Sequence, residues 1–203
     1  MAEPIPEMID MVFDLDGGTL PAAYPFVLWE ALSRRVPALA QEESVGVLPL
    51  RGTGVKEGLL LPRRAKLALR LPVAIAEQTA ARLTGQELEI GGRPVRLGAA
   101  KMRPIQPFPT IHAQLVAGDS DEVRFIENIN AQLGKMGIQG SLICGRRRSI
   151  GDDRLSMQGY SLVVHDLKAD ASVHLQFAGL GTGRRFGCGI FVPSKVISGL
   201  SED

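Results

Sequence analysis

The chain has 203 residues, of which 45% are hydrophobic and 22% are charged, and its formal net charge is +1. This composition is typical of a folded globular protein and excludes a largely disordered chain. No apolar run approaches the roughly 20 residues that cross a bilayer, and residues 1–7 lack the basic and apolar regions of a signal peptide. We therefore expect a cytoplasmic protein without a membrane partner.

The charges are distributed unevenly along the chain. Residues 1–50 have a balance of −6, whereas residues 51–106 have a balance of +7. This concentration of positive charge indicates an anionic partner, most commonly nucleic acid, although a solvated basic face gives the same pattern. The two cysteines and three histidines have no metal-ligand spacing, so we expect neither a metal nor another cofactor.

The first half of the chain predicts the order β-α-β-β-α-β. Alternating apolar residues predict a strand over residues 9–15. A helix is predicted over residues 23–36, because Leu28, Leu32 and Val36 share one face. A second helix is predicted over residues 72–83, beginning at Pro72. The remaining predicted strands cover residues 45–50, 58–61, 66–71, 87–90 and 95–102.

The second half repeats this order after a proline-rich stretch, residues 103–109, that predicts an extended linker. A helix capped by Asp119 or Ser120 is predicted to end at Gly137. The other predicted elements are strands over 111–116, 141–144, 160–165 and 189–192 and a helix over 169–178. The sequence thus predicts an α+β fold of two tandem ferredoxin-like βαββαβ domains, residues 1–107 and 108–203, the plan of RNA-recognition domains.

A glycine-rich stretch, residues 179–193, contains Arg184 and Arg185. Because glycines have no side chain, we expect their backbone N–H groups to be accessible to an anion. We expect the two arginines to contact phosphate groups at the same place. With little apolar surface, the loop is expected to be ordered only by an anion, and its arginines to add little stability. A flexible turn is the alternative. The candidate RNA ligands here are Gly181, Gly183, Arg184, Arg185, Gly187 and Gly189.

This loop, followed by Gly-Cys-Gly-Ile-Phe-Val-Pro, resembles the CRISPR repeat-processing endoribonucleases of the RAMP superfamily, especially the small MYXAN subtype. Residues 32–37 (LSRRVP), 48–52 (LPLRG) and 145–148 (GRRR) agree with the resemblance. It implies binding of hairpin CRISPR repeat RNA and metal-independent cleavage by its 2′-hydroxyl, leaving a 2′,3′-cyclic phosphate. It also implies retention of the product and association with other CRISPR effector subunits.

Two residues are candidates for the catalytic step that the resemblance implies. Many family members have a general-base histidine near the start of the first helix, and Tyr24 stands at that position here. A tyrosine, with a reference pKa near 10, is a poor base at neutral pH, but it can position or protonate an oxygen. His112 is the substitute candidate, although a histidine in a strand is more often structural. A guide-RNA-binding subunit without catalysis is the alternative function.

Two arginine clusters complete the predicted RNA-binding surface. Arg34 and Arg35 lie on the polar side of the first helix, and the resemblance places them near the cleaved strand. Arg146, Arg147 and Arg148 predict a clamp on the stem of the RNA hairpin. Solvent exposure, on a helix face and in a turn, is the alternative for each cluster.

A remote alternative comes from residues 12–20, which look like the nucleophile motif of haloacid-dehalogenase-type phosphatases. Asp14 and Asp16 would then bind Mg²⁺, with Asp152 and Asp153 as further metal-binding acids. An extra glycine separates Asp16 from Thr19, and the alternating β-α order of a parallel sheet is missing. Both features disfavour a phosphatase.

Overall fold

The computed structural model of the chain describes residues 5–194. The first half is built on an antiparallel sheet of strand order β3-β6-β1-β8-β7, in which β9 also pairs with β1. A small sheet of order β2-β5-β4 accompanies it. The elements are β1 (Met8–Asp16), β2 (Thr19–Leu20), α1 (Tyr24–Arg35), α2 (Ala38–Gln41), β3 (Gly46–Val47), β4 (Thr53–Val55), β5 (Gly58–Leu60), β6 (Ala65–Pro72), α3 (Val73–Leu83), β7 (Glu87–Ile90), β8 (Arg93–Leu97) and β9 (Lys101–Pro104).

The second half is a four-stranded antiparallel sheet of order β11-β12-β10-β13. The first strand of this half, β10, thus lies between β12 and β13. In the first sheet β1 lies between β6 and β8 in the same way, so each half follows the ferredoxin-like plan. The predicted fold class is confirmed. The elements are β10 (Ile111–Ala117), α4 (Glu122–Lys135), β11 (Ser141–Gly151), β12 (Ser156–His165), α5 (Ala169–Ala178) and β13 (Val192–Pro193).

Each sheet has one face covered by helices and one open face. In the first half Phe13 of β1 and Leu67 of β6 share a core with Leu28 and Leu32 of α1. In the second half Tyr160 of β12 shares a core with Phe125 of α4. These apolar residues are spaced at helical and strand periods, which is why the sequence predicts the elements that carry them.

Several predicted boundaries are wrong for identifiable reasons. The single strand over 95–102 is two strands that both pair with β1, because the pairing is interrupted at residues 98–100, where three residues lie opposite two of β1. Arg103 and Pro104 belong to β9 rather than to a linker. Asp121 caps α4, not Asp119 or Ser120: its carboxylate accepts the N–H of Arg124 at 3.0 Å.

Two further corrections concern the second half. The arginines of residues 146–148 lie within the long strand β11 and not in a turn. The last strand is Val192–Pro193 and does not begin at residue 189, because the glycine-rich loop continues to Phe191.

A buried guanidinium connects the two halves. Arg70, on the open face of β6, is 1% exposed and forms a two-pronged ion pair with Asp10 of β1, at 2.7 and 2.9 Å. Its Nη1 donates to the carbonyls of Gln176, at 3.0 Å, and of Phe191, at 2.6 Å. The first sheet is thereby tied to the last turn of α5 and to the residue before β13.

Replacing Arg70 by alanine is expected to lower the free energy of unfolding by about 3–5 kcal/mol, because Asp10 and two buried carbonyls lose their partner. Urea unfolding measures the loss. Arg96→Ala is the control: its exposed pair with Glu87 spans 3.8 Å, and such pairs contribute about 0–1 kcal/mol. Equal losses in the two variants would contradict the role given to Arg70.

Candidate functional site

Two neighbouring clefts lie between the domains. The Tyr24 cleft, of about 260 Å³, is lined by Tyr24, Pro49, Gln114, Arg148 and Gly187 among others. The His112 cleft, of about 630 Å³, is lined by Arg51, His112, Gln114, Arg148 and Ser161 among others. Gln114 and Arg148 line both clefts. The fold therefore brings the two predicted catalytic residues to neighbouring clefts that have two side chains in common.

Tyr24 is the first residue of α1, and its side chain is partly buried. Its hydroxyl oxygen accepts the N–H of Leu50 at 3.2 Å. Burial raises the pKa of Tyr24 above its ordinary value, and the hydrogen bond from Leu50 offsets only part of this effect. The phenol is therefore protonated at neutral pH, where it can donate a hydrogen bond but cannot act as a base.

His112 lies on β10, opposite Val163 of β12 and Val192 of β13. Burial, and then the positive charge of Arg51, lower the pKa of His112 below its usual value. Both effects disfavour the imidazolium ion, so the ring is neutral at pH 7 and can accept a proton. Its Nδ1 is buried and has no hydrogen-bond partner within residues 5–194.

The three arginines of β11 do not form one cluster. Arg147 lies opposite Tyr160 and donates to the side chain of Gln158 at 2.8 Å. Arg148 lies opposite Gly159, on the open face of the sheet, and reaches both clefts. Neighbouring residues of a strand point to opposite faces of the sheet, so the side chains of Arg147 and Arg148 point apart. The three arginines therefore do not form a single clamp.

The N–H groups of the glycine-rich loop are largely satisfied inside the protein. Gly181 donates to the Oε1 of Gln132 at 3.0 Å, Gly187 to the carbonyl of Arg184 at 3.1 Å, and Gly189 to the carbonyl of Leu115 at 2.7 Å. The carbonyl of Gly183 accepts the N–H groups of Phe186 and Cys188. The expectation that these N–H groups are open to an anion is wrong for Gly181, Gly187 and Gly189.

The arginines of the loop are docked on the first domain. The Nε of Arg184 donates to the carbonyl of Ser44 at 3.2 Å, and burial, and then the charge of Arg70, lower its pKa to about 10. Arg185 donates to the carbonyl of Ala40 at 3.0 Å and lies 5.1 Å above the ring of Trp29. The expectation that only an anion orders the loop is therefore wrong, because the first domain orders it.

Arg34 and Arg35 lie at the other end of α1 from the Tyr24 cleft. Ten residues of helix separate Arg34 from Tyr24, which is about 15 Å along the axis. Arg34 pairs with Glu30 at 2.5 Å, and Arg35 donates to the side chain of Gln86. The structure does not bring these two arginines into either cleft.

Several residues of the site are not among the predicted ones. Arg51 lines the His112 cleft and also a third hollow, of about 430 Å³, on the open face of the first sheet. Arg51 belongs to the positively charged stretch 51–106 and to the LPLRG stretch, residues 48–52, and both patterns could have indicated it as an RNA-binding residue. Gln114 and Ser161 gave no signal, because a polar residue in a strand is ordinary. The cations of the third hollow are Arg51, Arg64, Lys66 and Arg103.

Comparisons with known proteins decide the family. The Cas6 CRISPR family model matches residues 9–196. A CRISPR-associated endonuclease Cas6 of Myxococcus xanthus (strain DK1622) is 35% identical over 187 residues, which are 91% of this chain and 81% of that protein. The chain belongs to the Cas6 family. The predicted resemblance to CRISPR repeat-processing endoribonucleases is thereby confirmed at the level of the family.

Solved structures show the same fold at low sequence identity. A CRISPR-associated protein Cas6 superposes with a TM-score of 0.67 at 14% identity, over 93% of this chain and 100% of that one. A Cas6-related protein from Pyrococcus furiosus gives 0.65 at 11% identity, over 93% and 99%. Thermus thermophilus Cse3, bound to an RNA representing a pre-cleavage complex, gives 0.53 at 12%, over 92% and 98%.

The phosphatase alternative fails on the fold of this Cas6-family chain. Strand β1, which carries Asp14 and Asp16, lies in an antiparallel sheet rather than the required parallel one. Asp14 is paired with Lys66 and Lys101, whose bonds and charges lower its pKa. Across residues 5–194, no three His, Cys, Asp or Glu side chains are grouped so that they could hold a metal ion.

None of the helices within residues 5–194 of this Cas6-family chain has the length and apolar character needed to cross a membrane.

Replacing both Arg184 and Arg185 by alanine is expected to lower the free energy of unfolding by about 1–3 kcal/mol. The reason is the loss of two hydrogen bonds and of the contact with Trp29. Thermal and urea unfolding measure the effect. Arg124→Ala, at an exposed position on α4, is the control and should stay within about 0.5 kcal/mol of wild type. An unchanged double variant would support a loop that is ordered by its ligand.

Proposed function

We propose that this chain binds CRISPR repeat RNA at its hairpin and cleaves it to release guide RNAs. The observation that carries the proposal is the placement of Tyr24, His112 and Arg148 around two neighbouring clefts between the domains. The family supports it, since a 35% identical relative is named as a CRISPR-associated endonuclease. We also propose that the domains are residues 1–107 and 108–203, since β9 ends at Pro104 and β10 begins at Ile111.

The proposed reaction uses a nucleophile from the RNA itself and needs no metal ion. The ribose 2′-oxygen attacks the adjacent phosphorus, a new O2′–P bond forms, and the P–O5′ bond breaks. The 2′-hydroxyl loses a proton, and the leaving 5′-oxygen gains one. The products are a 2′,3′-cyclic phosphate and a 5′-hydroxyl.

The protonation states of the two predicted catalytic residues suit different halves of this reaction. Neutral His112 can take the proton of the 2′-hydroxyl, whereas protonated Tyr24 can donate to an oxygen of the phosphate or of the leaving group. We therefore assign the base to His112 and the donor to Tyr24. Removing a general acid or base typically slows a reaction by about 10²–10⁴-fold.

The cations outside the two clefts fit the binding of the RNA backbone. Arg51, Arg64, Lys66 and Arg103 line the third hollow, where they can contact phosphates of a single strand that continues from the cleavage site. We assign the stem to Arg146 and Arg147, at the exposed edge of β11. Further cations outside the clefts are Arg34 and Arg35, at the end of α1, and Arg185, above the ring of Trp29, and a bound product would be retained through several such contacts.

A non-catalytic guide-RNA-binding subunit is the second candidate function. The specific observation in its favour is the tyrosine, with a raised pKa, at the position where many family members carry the base. Such a subunit would bind the repeat RNA and associate with other CRISPR effector subunits without cutting.

Incubation of the purified protein with end-labelled repeat hairpin RNA in EDTA tests the proposal. Cleavage should proceed in EDTA and leave a 2′,3′-cyclic phosphate, because the nucleophile belongs to the RNA. A substrate with 2′-deoxyribose immediately upstream of the cut should bind and remain intact. Tight binding without cleavage of the all-ribose RNA would favour the non-catalytic subunit, and an absolute need for Mg²⁺ would exclude the proposed mechanism.

Single-turnover rates at saturating RNA distinguish the roles of His112 and Tyr24. His112→Ala and Tyr24→Phe should each slow cleavage by about 10²–10⁴-fold. The wild-type rate should rise with pH through the lowered pKa of His112 and be level by pH 7, because the imidazole must be neutral to act as a base. His112→Ala should abolish this rise, and Tyr24→Phe should keep it.

Matched variants outside the clefts serve as controls for these rates. Tyr160→Phe removes a hydroxyl that donates to the carbonyl of Ser120 at 2.6 Å, and His174→Ala changes a histidine of α5. Neither should slow cleavage. A wild-type rate in His112→Ala would exclude His112 as the base, and a wild-type rate in Tyr24→Phe would exclude Tyr24 as the donor.

A further inference from the structure

The pairing of β11 with β12 sets the direction in which each arginine points. From Arg147 onward the two strands pair residue by residue, with Arg147 opposite Tyr160 and Arg148 opposite Gly159. Tyr160 is part of the second core, so Arg147 is on the helix-covered side of the sheet. Arg148 is consequently on the open side, where the clefts lie.

A β-bulge makes this orientation possible. Cys144 pairs with Leu162 and Arg147 with Tyr160, so that Gly145 and Arg146 together lie opposite the single residue Ser161. Leu142 and Cys144 pack against the second core. In an unbroken alternation every even-numbered residue, Arg148 included, would therefore face that core. The extra residue reverses the alternation, and bulges commonly re-aim side chains in this way next to active sites.

A second bulge lies directly across β12 from the first. The register of β10 shifts between Ala113, opposite Leu162, and Val116, opposite Tyr160, so Gln114 and Leu115 also lie opposite Ser161. Both residues line the Tyr24 cleft. Both strands that pair with β12 thus have a bulge opposite Ser161. These bulges lie next to Gln114 and Arg148, which line both clefts.

Glycine fits the first of these bulges without displacing the side chain of Ser161. A Cβ atom at Gly145 would lie 2.2 Å from the Oγ of Ser161, well inside van der Waals contact. The GRRR stretch therefore combines a residue that allows the bulge with the cation that the bulge re-aims.

Arg146 and Arg148 differ from the other predicted RNA-binding arginines, because neither has an ion pair or a side-chain hydrogen bond among residues 5–194, and of these two only Arg148 lines the two clefts. Arg34, Arg35, Arg147, Arg184 and Arg185 each donate to an oxygen of the protein. Arg148 is exposed and has neither an ion pair nor a side-chain hydrogen bond among residues 5–194. With Gln114 it is one of the two residues that line both the Tyr24 and the His112 cleft.

From this placement we infer that Arg148 is a catalytic residue that binds the non-bridging oxygens of the scissile phosphate, rather than part of a clamp on the RNA stem. The inference rests on the proposed cleavage of repeat RNA. The attack of the 2′-oxygen creates a five-coordinate phosphorus with more negative charge on its non-bridging oxygens than the ground state has. A guanidinium that donates two parallel N–H groups to those oxygens stabilises that extra charge. Its contribution is therefore larger in the transition state than in the bound substrate.

Single-turnover cleavage at saturating RNA, measured beside equilibrium binding, tests the role of Arg148. Arg148→Ala should slow cleavage by about 10²–10³-fold, as the loss of one oxyanion donor does in other enzymes, and should leave the Kd nearly unchanged. Arg148→Lys should recover part of the rate, because it restores the charge without the two-pronged geometry. Arg82→Ala, on the exposed side of α3, is the matched arginine control and should behave as wild type.

The possible outcomes separate this inference from the proposed function. If wild type and Arg148→Ala cut at the same saturated rate and only the Kd of the variant rises, Arg148 is a binding residue and the inference is overturned. If wild type binds the RNA and does not cut it, the proposed cleavage itself fails and the role of Arg148 fails with it. A slowed variant with an intact Kd supports both.

Discussion

The buried guanidinium of Arg70 is the contact on which the arrangement of the two domains depends. A buried cation is stable only when it is paired and its N–H groups are satisfied. Asp10 supplies the negative charge from within the first sheet, but the carbonyls of Gln176 and Phe191 come from the second domain. The end of α5 and the residues before β13 are therefore held against the open face of the first sheet.

This attachment determines the course of the glycine-rich loop, which joins α5 to β13. The loop passes over α1, where the ring of Phe186 lies 4.7 Å from that of Phe26, and Gly187 reaches the wall of the Tyr24 cleft. Glycine is needed where the backbone comes close to other backbone. A Cβ atom at Gly189, which has a φ of +66°, would lie 1.9 Å from the carbonyl oxygen of Leu180. The loop thus acts as an interdomain connection that shapes the site.

Helices and strands whose apolar residues recur at a regular spacing could be predicted from the sequence. Features that depend on how two strands pair in the sheet could not. The apolar spacing of α1 and the alternation of β1 determine which faces are buried, and both predictions are confirmed. The side to which Arg148 points depends on a bulge opposite Ser161, which has no counterpart in a linear pattern. Likewise, glycines next to arginines look the same whether they bind a phosphate or allow close packing, and here Gly189 and Arg184 are used for packing.

The most direct test of the account is a structure of the protein bound to repeat RNA that carries a single 2′-deoxyribose upstream of the cut. The measured quantity is the distance from the non-bridging oxygens of the scissile phosphate to the guanidinium of Arg148. We expect hydrogen-bond distances of about 2.7–3.2 Å, with the phosphate between His112 and Tyr24. A scissile phosphate bound beside Arg34 and Arg35, at the far end of α1, would contradict it.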